Sequence, residues 1–169
     1  MYALVLVLRL VHIVFGIFWA GSMFFLASFL MPTARGAGPA GAPFMRRFAQ
    51  SSFPNALAGS AVLTVLSGLG LMWTASGGDS TWFGSPAGIT LSVGGLAAII
   101  ALGFGLAVQR PTTLRMGVVG AAIDAAGGTP TAEQAAEIGA LQAKAMRGVR
   151  LLTWLLTVAV VCMAVARYV

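Results

Sequence analysis

The segment "LRLVHIVFGIFWAGSMFF", residues 8–25, decides the class of this protein. It is apolar enough to form most of a membrane-crossing helix, yet it contains Arg9 and, about one turn later, His12, the only histidine in the chain. Ionisable side chains within a membrane are rare and usually face the interior of a bundle or a cavity. The segment therefore predicts a transmembrane helix with one face that is shielded from lipid.

The composition of the whole chain also indicates a membrane protein. Of its 169 residues, 59% are hydrophobic and 8% are charged, whereas soluble domains have roughly 25% charged residues. A soluble chain of this length could not bury so much apolar surface. The formal net charge of +6 comes from residues between the apolar runs and not from one basic face, so we expect a lipid bilayer as partner and no nucleic acid.

Four apolar runs predict four transmembrane helices, because each supplies close to the ~20 residues that cross a bilayer. They cover residues 3–31, 53–73, 87–108 and 151–169. The runs are rich in Leu, Ala and Gly and do not alternate with polar residues, so strands are not expected. The sequence predicts an all-α fold, in which residues 1–169 form a single transmembrane domain: an integral membrane bundle of four helices.

Two long connections are predicted on the cytoplasmic side. Residues 32–52, rich in Pro, Gly and Ala, predict a loop that leads into an interfacial turn at residues 44–48. The second of these long connections, which is the third connection along the chain, covers residues 109–150.

Within that second connection the sequence predicts the start of a long helix. Residues 131–134 have the spacing of a capping box, and Thr129 is the other candidate for the helix start. From there we expect one helix that begins in water and enters the membrane near Arg150, so that the fourth span extends into the cytoplasm.

The positions of the basic residues predict the orientation. The chain has 10 Lys and Arg residues, and all of them except Arg9 and Arg167 lie in the first and third connections. Basic connections face the cytoplasm. We therefore expect a multi-pass protein of the bacterial cytoplasmic (inner) membrane with both termini on the periplasmic side.

One face of the first helix is unsuited to lipid. At 100° per residue, this face collects Arg9, His12, Gly16, Trp19 and Met23, and the opposite face is apolar. We expect the polar and small face to pack inside the bundle or against a partner subunit.

Arg9 has two interpretations. It is either an anchor for lipid headgroups, or it has a functional role, as a contact for an anion or in an ion pair with Asp79 or with the C-terminal carboxylate of Val169.

His12 has three interpretations: a hydrogen-bonded packing residue, a ligand of haem b or of a metal, or a contact for a proton or a quinone. Because the chain has one histidine, a second axial haem ligand would come from Met72, Met163, a symmetry mate or another protein. The single cysteine, Cys162, excludes an internal disulfide and any multi-cysteine metal site.

Stripes of small residues predict where the other helices pack, because they let helix backbones approach closely. The stripes are Ala56, Ser60, Thr64 and Gly68 in the second helix, Gly94, Ala97, Ala101 and Gly105 in the third, and Thr153 and Thr157 in the fourth.

Two short motifs resemble a known family. "HIVFGIFWAGS", residues 12–22, resembles the N-terminal helix of the CopD-like membrane proteins, in which an H-I pair is followed seven residues later by W-x-G-G or W-x-G-S. "MAVARYV", residues 163–169, is similar to the C-terminal ending of that family. The superfamily also includes the HemJ-like protoporphyrinogen oxidases. The resemblance implies a small four-helix bacterial membrane protein with haem or porphyrin at His12.

Three functions follow from these observations. The spans contain no nucleophile–base pair, no phosphate-binding loop and no paired carboxylates, so we predict no catalytic residues. The few ionisable groups and the small-residue stripes favour a non-catalytic accessory or structural subunit of a larger respiratory, photosynthetic or transport complex, with other membrane subunits as partners. The alternatives are a haem- or porphyrin-linked redox protein that uses His12, and a small metal-ion transporter.

Overall fold

The structure is a computed structural model that describes residues 2–169, except for the side chain of Pro39. In chain order its α-helices are α1 (Tyr2–Phe25), α2 (Met31–Gly36), α3 (Gly41–Gln50), α4 (Phe53–Ser76), α5 (Pro86–Phe104), α6 (Arg110–Ala125) and α7 (Ala132–Val165). Within the described residues, four helical stretches that include α1, α4, α5 and α7 are long and apolar enough to cross a membrane. The predicted all-α fold with four such helices is confirmed.

The four long helices form two antiparallel pairs. α1 packs mainly against α4, and α5 packs mainly against α7. In the first pair Leu8 contacts Gly70, and the rings of Phe18 and Phe53 lie 6.2 Å apart. Contacts between α4 and α5 and between α1 and α7 join the pairs into one bundle.

The bundle has two chemically different ends. α1 begins and α7 ends at one of them, which we call the terminus end. α2, α3, α6 and the first half of α7 lie at the other, which we call the basic end, because it contains the Lys and Arg residues of the first and third connections.

The loop predicted at residues 32–52 contains helix, and so do residues 110–125, ahead of the predicted helix start at Thr131. α1 continues through a π-helical turn, Leu26–Leu30, into α2, and α5 continues through a second π-helical turn, Gly105–Gln109, into α6. Residues 44–48, expected as an interfacial turn, belong to α3.

Each π turn is followed, two residues later, by a proline: Pro32 in the first case and Pro111 in the second. Proline lacks the N–H for an intrahelical hydrogen bond, and its ring clashes with the carbonyl four residues earlier. A wider turn shifts the register of the hydrogen bonds and accommodates the ring. These prolines therefore do not end the helices, although proline is usually a helix breaker.

The start of α7 follows the predicted capping box. The Gln134 amide donates to Thr131 Oγ1 over 3.2 Å, and the Thr131 amide donates to Gln134 Oε1 over 3.0 Å. This confirms the first of the two predicted helix starts and excludes Thr129. α7 then runs without a break for 34 residues, which is about 50 Å at 1.5 Å per residue and longer than the ~30 Å hydrocarbon core of a bilayer.

Small residues form the contact between α5 and α7. Gly94, Ala97 and Ala101 are buried, as their predicted stripe requires. A Cβ atom on Gly94 would lie 2.8 Å from the Cβ of Cys162, so the two backbones approach too closely for a larger residue.

At the basic end an ion pair connects α3 and α6. Arg46 Nη2 donates to Asp124 Oδ1 over 2.9 Å, and the aliphatic part of Arg46 packs against Gly120. Arg115 and Glu137 form a more exposed pair, at 2.6 Å, between α6 and α7.

Candidate ligand-binding cleft at His12

A cleft lined by residues of both helix pairs lies toward the terminus end of the bundle. Near the middle of the bundle Trp19 and Met23 are 4% and 1% exposed, whereas Arg9, nearer the terminus end, is exposed. The cleft has a volume of about 560 Å³, and all four long helices contribute to its wall. Small-molecule sites in proteins typically measure ~300–1,000 Å³. We call it the His12 cleft.

The imidazole of His12 lies on the wall of this cleft and is held by α4. His12 Nδ1 lies 2.8 Å from the carbonyl oxygen of Thr64. Since a carbonyl oxygen only accepts, Nδ1 carries the proton. The hydroxyl oxygen of Ser67 lies 3.5 Å from the same nitrogen and donates its own proton to the Leu63 carbonyl over 2.6 Å. In the neutral ring Nε2 therefore has no proton and keeps its lone pair, so Nε2 is the nitrogen that can bind a metal.

Gly68 provides the space in which the imidazole lies. A Cβ atom at this position would be 2.8 Å from Cε1 and 3.1 Å from Nδ1 of His12. Gly16 lies about one turn further along α1, and a Cβ atom there would be 3.5 Å from Cγ2 of Thr64. The small-residue stripe of α4 is thus the surface against which α1 packs.

Arg9 also lines the cleft, and it does not form the ion pair with Asp79 that was one of its possible roles. The Asp79 carboxylate accepts from the Thr81 amide over 2.8 Å and from the Thr81 hydroxyl over 2.7 Å. Both hydrogen bonds lower the pKa of Asp79, and the one from the Thr81 hydroxyl has the larger effect. Among the described residues the ion pairs are those of Arg46 and Arg115, so Arg9 pairs with neither Asp79 nor the C-terminal carboxylate.

The electrostatic character of the cleft is positive. No Asp or Glu is among the described residues that line it, and Arg9 contributes a permanent positive charge. An anionic group of a ligand would therefore find a counter-charge there.

Two methionines line the His12 cleft from helices other than α1. Met72 comes from α4 and Met163 from α7. Gly95 of α5 makes room for the first, because a Cβ atom at this position would be 3.4 Å from Met72 Sδ. The cleft thus brings the single imidazole together with both thioethers that the sequence analysis named as potential second haem ligands.

The rest of the predicted face of α1 is covered within the chain. Trp19 and Met23 are buried, and the Met23 carbonyl accepts a hydrogen bond from Thr153 of α7 over 3.3 Å. Arg9 and His12 are the two members of the face with side chains on the wall of the cleft.

Sequence reasoning missed how the His12 ring is fixed. The Thr64 carbonyl, the Ser67 hydroxyl and Gly68 lie 52 or more positions away in the chain. The small-residue stripe of the second helix was a signal for Thr64 and Gly68, but it did not include Ser67. No protein-family model, curated protein or solved structure matches the chain.

Proposed function

We propose that this chain is a multi-pass protein of the bacterial cytoplasmic membrane that binds haem b, or a closely related metalloporphyrin, in the His12 cleft. The observation that carries this proposal is the 2.8 Å hydrogen bond from His12 Nδ1 to the Thr64 carbonyl at the wall of a large cleft. Histidines that bind metals commonly donate their other ring N–H to a backbone carbonyl, which fixes the tautomer and makes the ligating nitrogen more basic.

The residues of the cleft fit a haem. His12 Nε2 would hold the haem iron, and the thioether of Met72 or Met163, which lines the same cleft, would be the candidate for a second ligand. Arg9 would supply a counter-charge for the anionic propionates, and apolar side chains of the cleft wall, such as Ile99, would line the space for the macrocycle. The haem supplies one-electron redox chemistry when it is bound, and a thioether as the second ligand raises its reduction potential.

An optical spectrum of the purified protein tests the proposal. We expect a Soret band at one haem per chain in the wild type, and its loss in His12→Ala. Met116→Ala is the matched control, because Met116 belongs to α6 and is not part of the cleft wall. Thermal melting of each variant shows whether it is folded. A featureless visible spectrum, both as purified and after addition of haemin, would overturn the proposal.

The proposed orientation is supported by the charges and by the length of α7. Basic residues gather at one end of the bundle, which the positive-inside rule assigns to the cytoplasm. α7 is about 50 Å long, so its first half extends into the cytoplasm if its second half spans the bilayer. The His12 cleft would then lie in the periplasmic half of the membrane.

Labelling of single cysteines tests this orientation. In a Cys162→Ala background, Ser80→Cys lies at the terminus end and Thr129→Cys at the basic end. An impermeant thiol reagent should label position 80 in spheroplasts and position 129 only after lysis. The reverse pattern would contradict the orientation, and it would leave the haem proposal untouched.

An accessory-subunit role is a second candidate, compatible with haem binding. α1 has the smallest buried share of the four apolar helices, and its outward side chains include Ile17 and Phe25, which are 69% and 55% exposed. Such a surface faces lipid or a neighbouring subunit. Purification from native membranes in a mild detergent should then recover the chain in fixed stoichiometry with larger membrane proteins. Recovery as a lone chain would count against this role.

A further inference from the structure

A narrow groove lies nearer the basic end, between α4 and α5, and is separate from the His12 cleft. Its volume is about 70 Å³, compared with about 560 Å³ for the cleft. On α4 its wall extends from Pro54 to Ala61, which is about 10 Å at 1.5 Å per residue. Over that length the volume has room for one slender chain and not for a ring system as large as a porphyrin. We call this space the α4–α5 groove.

The α4–α5 groove has an apolar, buried floor and an open rim. Met23, Ala61 and Ala101 belong to the floor and are 4% exposed or less. A bound water molecule needs several polar partners, which these side chains do not provide. On the rim, Leu106 is 41% exposed, so the groove is open to the surroundings of the bundle. In a membrane the surroundings of such a helix are hydrocarbon.

Polar side chains mark one end of the groove. Apart from the indole of Trp19, the polar side chains among the described residues of the wall are those of Gln109, Arg110 and Thr113. They lie at the end of the π turn of α5 and in the first turn of α6, toward the basic end of the bundle. An apolar channel with one polar end matches an amphiphile that has a hydrocarbon chain and a polar headgroup.

Gly105 leaves part of this space unfilled. It belongs to the wall of the groove, and a Cβ atom at this position would have no neighbour within 4 Å. Gly94 of the same helix differs, because a Cβ atom there would lie 2.8 Å from the Cβ of Cys162, at a tight helix contact. The missing side chain at position 105 therefore serves no close helix contact among the described residues, and it borders the open groove.

We propose that the α4–α5 groove holds one acyl chain of a phospholipid from the leaflet at the basic end, with the headgroup beside the polar end of the groove. An acyl chain is as apolar as the floor and covers it without leaving a polar group unpaired. The narrow shape favours a single chain over a bulkier ligand. This proposal rests on the membrane placement proposed above. It does not rest on haem binding, because the groove and the His12 cleft share no lining residue among those described.

Quenching of Trp19 fluorescence by brominated lipid tests the proposal, because Trp19 lines the groove and is only 4% exposed. The other three tryptophans, Trp73, Trp82 and Trp154, are replaced by Phe. The protein is placed in nanodiscs of phosphatidylglycerol with or without bromine in the middle of the acyl chains, and the ratio of the two emissions cancels quenching by any bound haem. We expect brominated lipid to lower the emission at least twofold, and Gly105→Phe to restore most of it by filling the groove. Gly105 has ordinary helical backbone angles, with a φ of −57°, so the larger residue does not strain the backbone.

Gly103→Phe is the matched control. Gly103 lies on the same helix, a Cβ atom there also has no neighbour within 4 Å, and the residue is not part of the groove wall. This variant should be quenched like the unaltered chain. Equal quenching in Gly105→Phe and Gly103→Phe would mean that lipid contacts only the outside of the bundle, and the proposal would be overturned. An unquenched Trp19 in the unaltered chain would also overturn it.

A chain that keeps Trp154 alone tests the membrane placement separately from the groove. Trp154 is 72% exposed on α7, so brominated lipid should quench it whatever residue is at position 105. An unquenched Trp154 would contradict the membrane placement, and with it the groove proposal.

Native mass spectrometry of the chain with all four tryptophans is a second measurement, in case the triple replacement does not fold. We expect one phospholipid per chain to remain bound at collision energies that remove the other lipids. Gly105→Phe should lose this lipid, and Gly103→Phe should keep it. A retained molecule of another class, such as a quinone, or retention that Gly105→Phe does not change, would overturn the proposal.

Discussion

The imidazole of His12 in α1 donates from Nδ1 to the main-chain carbonyl of Thr64 in α4 over 2.8 Å. The two residues are 52 positions apart, and the bond joins the first antiparallel helix pair at the wall of a large cleft. It also determines which ring nitrogen remains for a ligand. Several consequences of this geometry, and of contacts elsewhere in the bundle, can be measured.

Replacement of Gly68 should displace the imidazole. In Gly68→Ala the new Cβ would lie 2.8 Å from Cε1 of His12, so the ring has to move away from the Thr64 carbonyl. Loss of such a supporting hydrogen bond typically lowers metal affinity ~10–100-fold. Haemin titration followed by absorbance measures the effect. Gly59→Ala is the control on the same helix, because a Cβ there has no neighbour within 4 Å. Equal affinities in the two variants would contradict the prediction.

Replacement of Gly94 should loosen the second helix pair. A Cβ atom at this position would lie 2.8 Å from the Cβ of Cys162 and 3.3 Å from the carbonyl oxygen of Ala159, and neither atom belongs to a flexible group. Overpacking of this kind typically destabilises a protein by ~1–3 kcal/mol. Thermal or denaturant unfolding in detergent measures the loss. Gly103→Ala, with open space around the new Cβ, should unfold like the wild type.

Removal of the charge at Asp124 should release α3 from α6. Arg46 keeps only 18% of its side chain exposed, and its Nε has no hydrogen-bond partner among the described residues, so Asp124→Asn leaves a partly buried cation without its counter-charge. We expect a loss of about 1 kcal/mol, and faster hydrogen exchange in α3. Glu137→Gln breaks the more exposed pair with Arg115 and should leave stability close to that of the wild type, because exposed ion pairs contribute little. If both variants behave alike, the Arg46 pair does not hold α3.

The turn at Asp79 should weaken in acid. The Thr81 hydroxyl and amide lower the pKa of Asp79 below its ordinary value of 3.8. Because the folded-state pKa is lower than the unfolded one, these hydrogen bonds stabilise the turn fully above pH 3.8, and the stabilisation is lost as the pH falls through the folded-state pKa. An NMR titration should place the midpoint for Asp79 below 3.8, and Thr81→Ala should move it upward. An unchanged midpoint in Thr81→Ala would contradict this explanation.

Local sequence signals predicted most of the long helices. Each apolar run is long enough to specify a helix without knowledge of its neighbours, and the capping box at Thr131 acts within four residues. The sequence did not predict that helix continues past Pro32 and Pro111, because proline usually ends a helix. In both places a π turn ahead of the proline accommodates it, and no residue type in the sequence marks a π turn.

The candidate site was predictable only in part. The helical periodicity of α1 was enough to place Arg9 and His12 on one face, because that relation depends only on their spacing within a single helix. The partner of the imidazole depends on how α1 packs against α4, and the pairing of Arg46 with Asp124 joins positions 78 apart. Such contacts follow from the tertiary structure, for which the spacing of residues in a single helix gives no direct signal.

Nitrogen-15 NMR of histidine-labelled protein tests the role of His12 most directly, because the chain has a single histidine and every imidazole signal belongs to it. The geometry predicts that the neutral ring in the free protein has its proton on Nδ1 and none on Nε2. Addition of the diamagnetic zinc protoporphyrin should shift the Nε2 signal and leave Nδ1 protonated. A neutral ring with its proton on Nε2 in the free protein, or an Nε2 signal that does not change when the porphyrin is added, would contradict a metal-binding role for His12.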